Sequence, residues 1–96
     1  MKIYALISEW EDGKIDIDGM KLFTTKEAAR KEQLEIFSKE CPQWYYENIE
    51  QYDNIKVFDE HGNYTQDFID YIDNDLDFAE APYDCPLLFE YTAKGE

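Results

Sequence analysis

Ile3, Ala5 and Ile7 alternate with Tyr4, Leu6 and Ser8, the two-residue period of a β-strand. Both sets are partly apolar, which predicts a central strand covered on both faces. Glu11-Asp12-Gly13-Lys14 follows, and Asp-Gly between two alternating runs predicts a hairpin. Ile15 and Ile17 then alternate with Asp16 and Asp18, and Gly19 marks a bulge before residues 20–23 continue the second strand.

The period changes after Phe23. Thr24 with Glu27 three positions later has the pattern of a capping box, with Phe23 and Ala28 as its hydrophobic staple. Ala28, Leu34 and Phe37 recur at near-helical spacing up to Glu40, and Pro42 is the stop signal. Trp44, Tyr45, Ile49 and Tyr52 predict a second, shorter helix. Residues 55–58 (Ile-Lys-Val-Phe) read as a strand, and Asp59-Glu60-His61-Gly62-Asn63 as a turn. Thr65 is placed to cap a third helix, in which Phe68, Ile69, Ile72, Leu76 and Ala79 share one face. Pro86 opens a last strand through Leu87, Leu88, Phe89 and Tyr91. The expected fold is a single α+β domain over residues 1–96, with a mostly antiparallel sheet of about four strands and two to three helices.

Composition sharpens this picture. The 96 residues include 44% apolar and 17% aromatic side chains, too many for a disordered acidic tail. A domain of this length buries only about 60–65% of the surface its unfolded chain exposes, so modest stability is expected. No secretory leader or membrane-spanning run is legible, and the expected location is the cytoplasm. Cys41 and Cys85 lie outside any Cys-x-x-Cys pair and are expected to stay reduced there.

Charge is the least ordinary feature. The formal net charge is −14. It argues against direct binding to nucleic acid or anionic lipid, which repel it. Between Val57 and Ala93 there is no Lys or Arg. On the predicted third helix Asp67, Asp70 and Asp77 fall opposite the apolar face, flanked by Asp73 and Glu80, with Asp84 beyond. Four like-charge neighbour pairs along that helix cost on the order of 1–2 kcal/mol. The later acids also face the negative end of the helix dipole. Such a row is either a solvated, solubilising face or a binding surface for a basic partner. Tyr64, Tyr71 and Tyr83 lie among the acids, either at the edge of the core or as contact anchors, since tyrosine is enriched in interfaces.

Catalytic chemistry finds little support. His61 is the only histidine and sits in the predicted turn, and the serines are Ser8 and Ser38. No nucleophile–base spacing, phosphate-cradling glycine loop or zinc motif is present. Asp73-x-Asp75-x-Asp77 imitates the start of a calcium loop. Its sixth position is Phe78 instead of glycine, its twelfth is Asp84 instead of glutamate, and a strand follows instead of a helix. No enzyme activity, cofactor or metal is expected.

The segment Lys2-Ile3-Tyr4, a hairpin, and Phe23-Thr24-Thr25-Lys26-Glu27-Ala28-Ala29 opening a helix resembles short accessory proteins of phages and mobile elements over about the first 40 residues. The acidic second half is similar in composition to nucleic-acid-mimic inhibitors of the anti-restriction and anti-CRISPR type. Residues 42–49 (Pro-Gln-Trp-Tyr-Tyr-Glu-Asn-Ile) faintly resemble the acidic nuclease inhibitor barstar, with a different order of elements. These resemblances imply an inhibitor that binds the basic surface of a nucleic-acid-binding protein and blocks it. Asp67, Asp70, Asp73, Asp77, Glu80 and Asp84 would supply the charge, and Tyr71 or Tyr83 the anchor. The alternatives are an immunity protein against a basic toxin nuclease, and an accessory domain whose acidity only keeps it in solution.

Overall fold

A computed structural model describes residues 1–8, 19–76, 81–82 and 84–92. Its order is β1 (Lys2–Ile7), β2 (Lys21–Phe23), α1 (Lys26–Glu40), α2 (Gln43–Tyr52), α3 (Gln66–Asn74) and β3 (Leu87–Thr92). The strands form an antiparallel sheet in the order β2-β1-β3. Tyr4 lies opposite Phe23 on one side and opposite Glu90 on the other. The first strand is therefore central. Ala5, Leu6 and Ile7 are consecutive and all buried, as double-sided cover requires. α1 lies across the sheet, and α3 reaches β3.

Three described strands replace the expected four. Residues 55–58 do not join the sheet: only Phe58 makes a bridge, to Tyr64 across the turn. Asn54 takes a left-handed φ of 55° just before this run, which turns the chain away from an extended path. Val57 is buried all the same, with its carbonyl accepting from Thr65 N at 2.9 Å. The expected turn at 59–63 forms. Asp59 Oδ1 accepts from His61 N (2.8 Å) and Asn63 N (3.0 Å), and Gly62 supplies a φ of 81°. The hairpin expected at 11–14 and the strand through Ile15 and Ile17 lie outside the described residues.

The helix starts shift from the sequence reading in one case and agree in the other. Thr25, not Thr24, caps α1, accepting from Ala28 N at 3.2 Å. The third helical residue is then Ala28, so Glu27 closes no capping box, and exposed Ala28 staples nothing. The buried stripe runs through Ala29, Gln33 and Phe37. Thr65 caps α3 as expected, accepting from Phe68 N at 3.2 Å. That helix ends at Asn74, short of the expected Ala79, with Asp75 as its C-cap. Asn and Asp are weak helix formers, and a third carboxylate near the negative end of the dipole adds to the cost of continuing.

The main core lies between the helices. The rings of Phe37, Tyr46, Phe58, Tyr64 and Phe68 pack against one another with centroids 4.9–6.2 Å apart. Ile49, Val57, Ile72, Leu76 and Leu87 complete it. A small chain thus obtains its stability from large aromatic side chains, each burying far more area than an aliphatic one. The Tyr46 hydroxyl donates to Phe37 O at 2.9 Å and meets the Tyr64 hydroxyl at 2.8 Å. Burial together with the Tyr64 contact pushes the Tyr46 phenol well above its ordinary pKa, and burial pushes Tyr64 up as well.

Candidate functional site

The acidic row on α3 is not bare. Arg30 of α1, 43 positions away in sequence, donates to Asp73 at 2.5 Å. Both side chains are largely enclosed, at 15% and 24% exposure. Arg30 also donates to Gln33 Oε1 at 2.6 Å, and Gln33, fully buried, donates to Pro86 O at 3.0 Å. One polar chain therefore ties α3 to α1 and α1 to the entrance of β3. Lys26 and Lys31 line the same shallow depression as Asp70 and Asp73. The expectation of unneutralised carboxylates along this helix is corrected here: basic residues of the amino-terminal half fold against it.

The remaining expected site residues divide. Asp67 is exposed in the first turn of α3, where the positive end of the dipole favours it. Asp70 is exposed and accepts from Gln66 Nε2 at 2.9 Å. Tyr71 is 9% exposed, a core residue whose ring a partner does not reach, so it is not an anchor. Asp84 is exposed but lines a different depression, with Glu40, Lys21 and Ser8. Asp77, Glu80 and Tyr83 lie outside the described residues. Asp73, the first position of the calcium-loop-like run, is spent on Arg30. His61 is exposed in its turn and its Nε2 lies 3.6 Å from Glu60.

Two further ion pairs use basic residues of the amino-terminal half. Lys2 meets Glu90 at 3.4 Å, and Lys21 meets Glu32 at 2.6 Å. The hydrogen bond from Lys21 holds the Glu32 carboxyl below its ordinary pKa. These pairs concentrate the positive charge around the sheet and α1.

What is left without cations is α2. Residues 40–55 contain no Lys or Arg, and among the described residues Glu47, Glu50 and Asp53 take part in no ion pair. Tyr45, Tyr46 and Ile49 turn inward. Trp44 (59% exposed) falls outside that stripe, with Glu47, Asn48 and Gln51 on the solvent side, while Tyr52 (76% exposed), two turns beyond Tyr45, is exposed at the C-terminal end of the helix. The Trp44 ring stands edge-on to Tyr45, centroids 6.1 Å apart. Glu47, Glu50 and Asp53 follow at intervals of three, two like-charge pairs costing about 0.5–1 kcal/mol together. They run towards the negative end of the helix, and no acid sits in its first turn. Stability alone favours neither this charge placement nor two large exposed aromatics. In interfaces binding energy concentrates on Trp and Tyr, and carboxylates around them steer a basic partner.

The sequence reading assigned Trp44 and Tyr52 to the helical pattern without fixing its phase. The Lys/Arg-free run 40–55 was the available signal, together with the requirement that only one face of a ten-residue helix can be buried. Among the described residues no group of three or more His, Cys, Asp or Glu converges as metal ligands, and no helix is long and apolar enough to cross a membrane. No protein-family model, curated protein or solved structure matches the chain.

Proposed function

We propose that this protein is a non-catalytic acidic inhibitor that acts in the cytoplasm, docking α2 on the basic surface of a nucleic-acid-binding protein and occluding it. By resemblance the setting is a phage or mobile element, and the partner a defence enzyme of the kind that anti-restriction or anti-CRISPR proteins target. One observation carries the reading: Trp44 and Tyr52 stand exposed among Glu47, Glu50 and Asp53 on a helix with no cation. The aromatics supply desolvated contact and the carboxylates steer a basic partner, giving fast association that weakens with salt. The carboxylates of α3 are partly neutralised by Arg30 and do not form the centre of the contact.

The test is affinity capture from bacterial lysate at low and high salt, using the wild type, Trp44→Ala/Tyr52→Ala and Glu47→Lys/Glu50→Lys. The expected result is a nucleic-acid-binding protein that is retained at low salt, is lost with either α2 variant, and releases its DNA or RNA when the wild-type chain is added. A captured partner that is indifferent to both α2 variants, or that still binds its nucleic acid in the complex, overturns the reading.

A further inference from the structure

The two edges of the sheet differ in how they are guarded. β2 at one edge is three residues long and carries Lys21, and both shortness and lysine protect an edge strand from pairing. β3 at the other edge is six residues long and contains no Pro, Lys or Arg. It pairs with β1 at consecutive positions without a bulge, from Lys2↔Thr92 to Ile7↔Leu87. Among the described residues β1 is the one strand beside it. Residues 85–93 contain a single charged side chain, Glu90, in a chain of net charge −14. Lys2 of β1 takes up that carboxylate at 3.4 Å. Phe89 and Tyr91 share the opposite face of the strand, rings stacked with centroids 6.5 Å apart, and Tyr91 is half exposed.

We propose that the outer edge of β3 pairs antiparallel with β3 of a second copy, giving a two-fold dimer with one continuous sheet. The register follows from the pleat and from charge. A two-fold axis normal to the sheet keeps like faces together, so odd-numbered residues meet odd-numbered residues. An axis at Phe89 or at Glu90 pairs about five strand residues a side, and any other axis pairs fewer. An axis at Glu90 sets the two Glu90 carboxylates directly opposite each other, which is destabilising. The axis at Phe89 avoids this. It sets Phe89 opposite Phe89 and Leu87 opposite Tyr91 on one face, and Leu88 opposite Glu90 on the other. The next pair is Thr92 with Pro86, which has no N–H, so the ladder ends there.

The net charge of each copy opposes association, and the copies meet at the strand where that charge is lowest. At about 0.15 M salt, charges more than about 8 Å apart are largely screened. So small a contact makes a weak, reversible dimer. No residue of α2 takes part, so the dimer presents two α2 faces, and the proposal is independent of the docking reading.

The experiment is sedimentation equilibrium of the whole chain from about 0.01 to 1 mM, at about 0.02 and 0.15 M salt. The expected result is a monomer–dimer equilibrium that tightens as salt rises, because the contact is made by backbone and apolar groups while salt screens the net charge. A mixture of 15N-labelled and 13C-labelled copies should show intermolecular nuclear Overhauser contacts between Leu87 and Tyr91. Tyr91→Lys puts a lysine on the edge at a half-exposed position and should weaken the dimer at least about tenfold. Trp44→Ala/Tyr52→Ala should leave it intact. If Tyr91→Lys loses its circular-dichroism spectrum, the labelled wild-type mixture decides. A monomer throughout, a dimer that weakens with salt or is lost with the α2 variant, or intermolecular contacts that avoid β3 overturns the proposal.

Discussion

Replacing Arg30 by Met keeps the aliphatic stem and removes the charge that the structure places against Asp73. A fully buried pair costs about 3–5 kcal/mol to break from one side, and an exposed pair about 0–1 kcal/mol. Exposures of 15% and 24% put Arg30–Asp73 between these limits. Loss of the donor to Gln33 Oε1 adds to the cost, because Gln33 is fully buried. The expected destabilisation is about 2–3 kcal/mol, or roughly 10–20 °C in melting temperature for a domain of this size. Lys2→Met is the control: its pair with Glu90 is 60% and 48% exposed, and its loss should cost about 0–1 kcal/mol. Urea titration of both variants reads the difference directly. In an Asp73→Asn background the cost of Arg30→Met should fall by about 1 kcal/mol, since the two changes remove one interaction. The gap between the two single variants should survive about 0.5 M salt, because enclosed pairs are screened little. If Arg30→Met costs no more than Lys2→Met, the claim that α1 neutralises α3 fails, and with it the argument for moving the interface to α2.

Two other outcomes follow from the same structure. The native state holds the protons of Cys85, Tyr46 and Tyr64 more tightly than the unfolded chain does, so stability is full below about pH 8.5 and falls as pH rises through the thiol and phenol range. Cys41, held lower, opposes this only in part. Melting temperatures from about pH 8 to 11 test it; Tyr64→Phe should flatten the fall above about pH 10, and a flat wild-type profile refutes it. Gly62→Ala meets no atom within 4 Å but forces an L-residue to a φ of 81°. It should cost about 1 kcal/mol by denaturant titration, and a more stable variant contradicts the turn geometry.

Much of the fold was legible because periodicity is local. Both faces of β1 carried apolar residues, which located the central strand, and Thr65 with Phe68 and Ile72 located α3. What failed depended on distance or phase. Residues 55–58 have strand composition, but pairing needs a partner edge, and Asn54 turns the run away from one. The α3 carboxylates looked unrelieved because Arg30 is 43 positions away, and no local pattern announces such a pair. Tyr71 looked like an anchor because it sits among acids, although the same helix phase that buries Phe68 and Ile72 also buries Tyr71.

The central claim is that the outward face of α2 is where a basic partner sits. The chain has two tryptophans, so a Trp10→Phe variant leaves Trp44 as the sole indole reporter. On titration with the captured nucleic-acid-binding partner at low salt, Trp44 emission should shift to the blue and lose its quenching by acrylamide, and high salt should reverse both. A complex that forms while Trp44 stays as red and as quenchable as in the free protein contradicts the account.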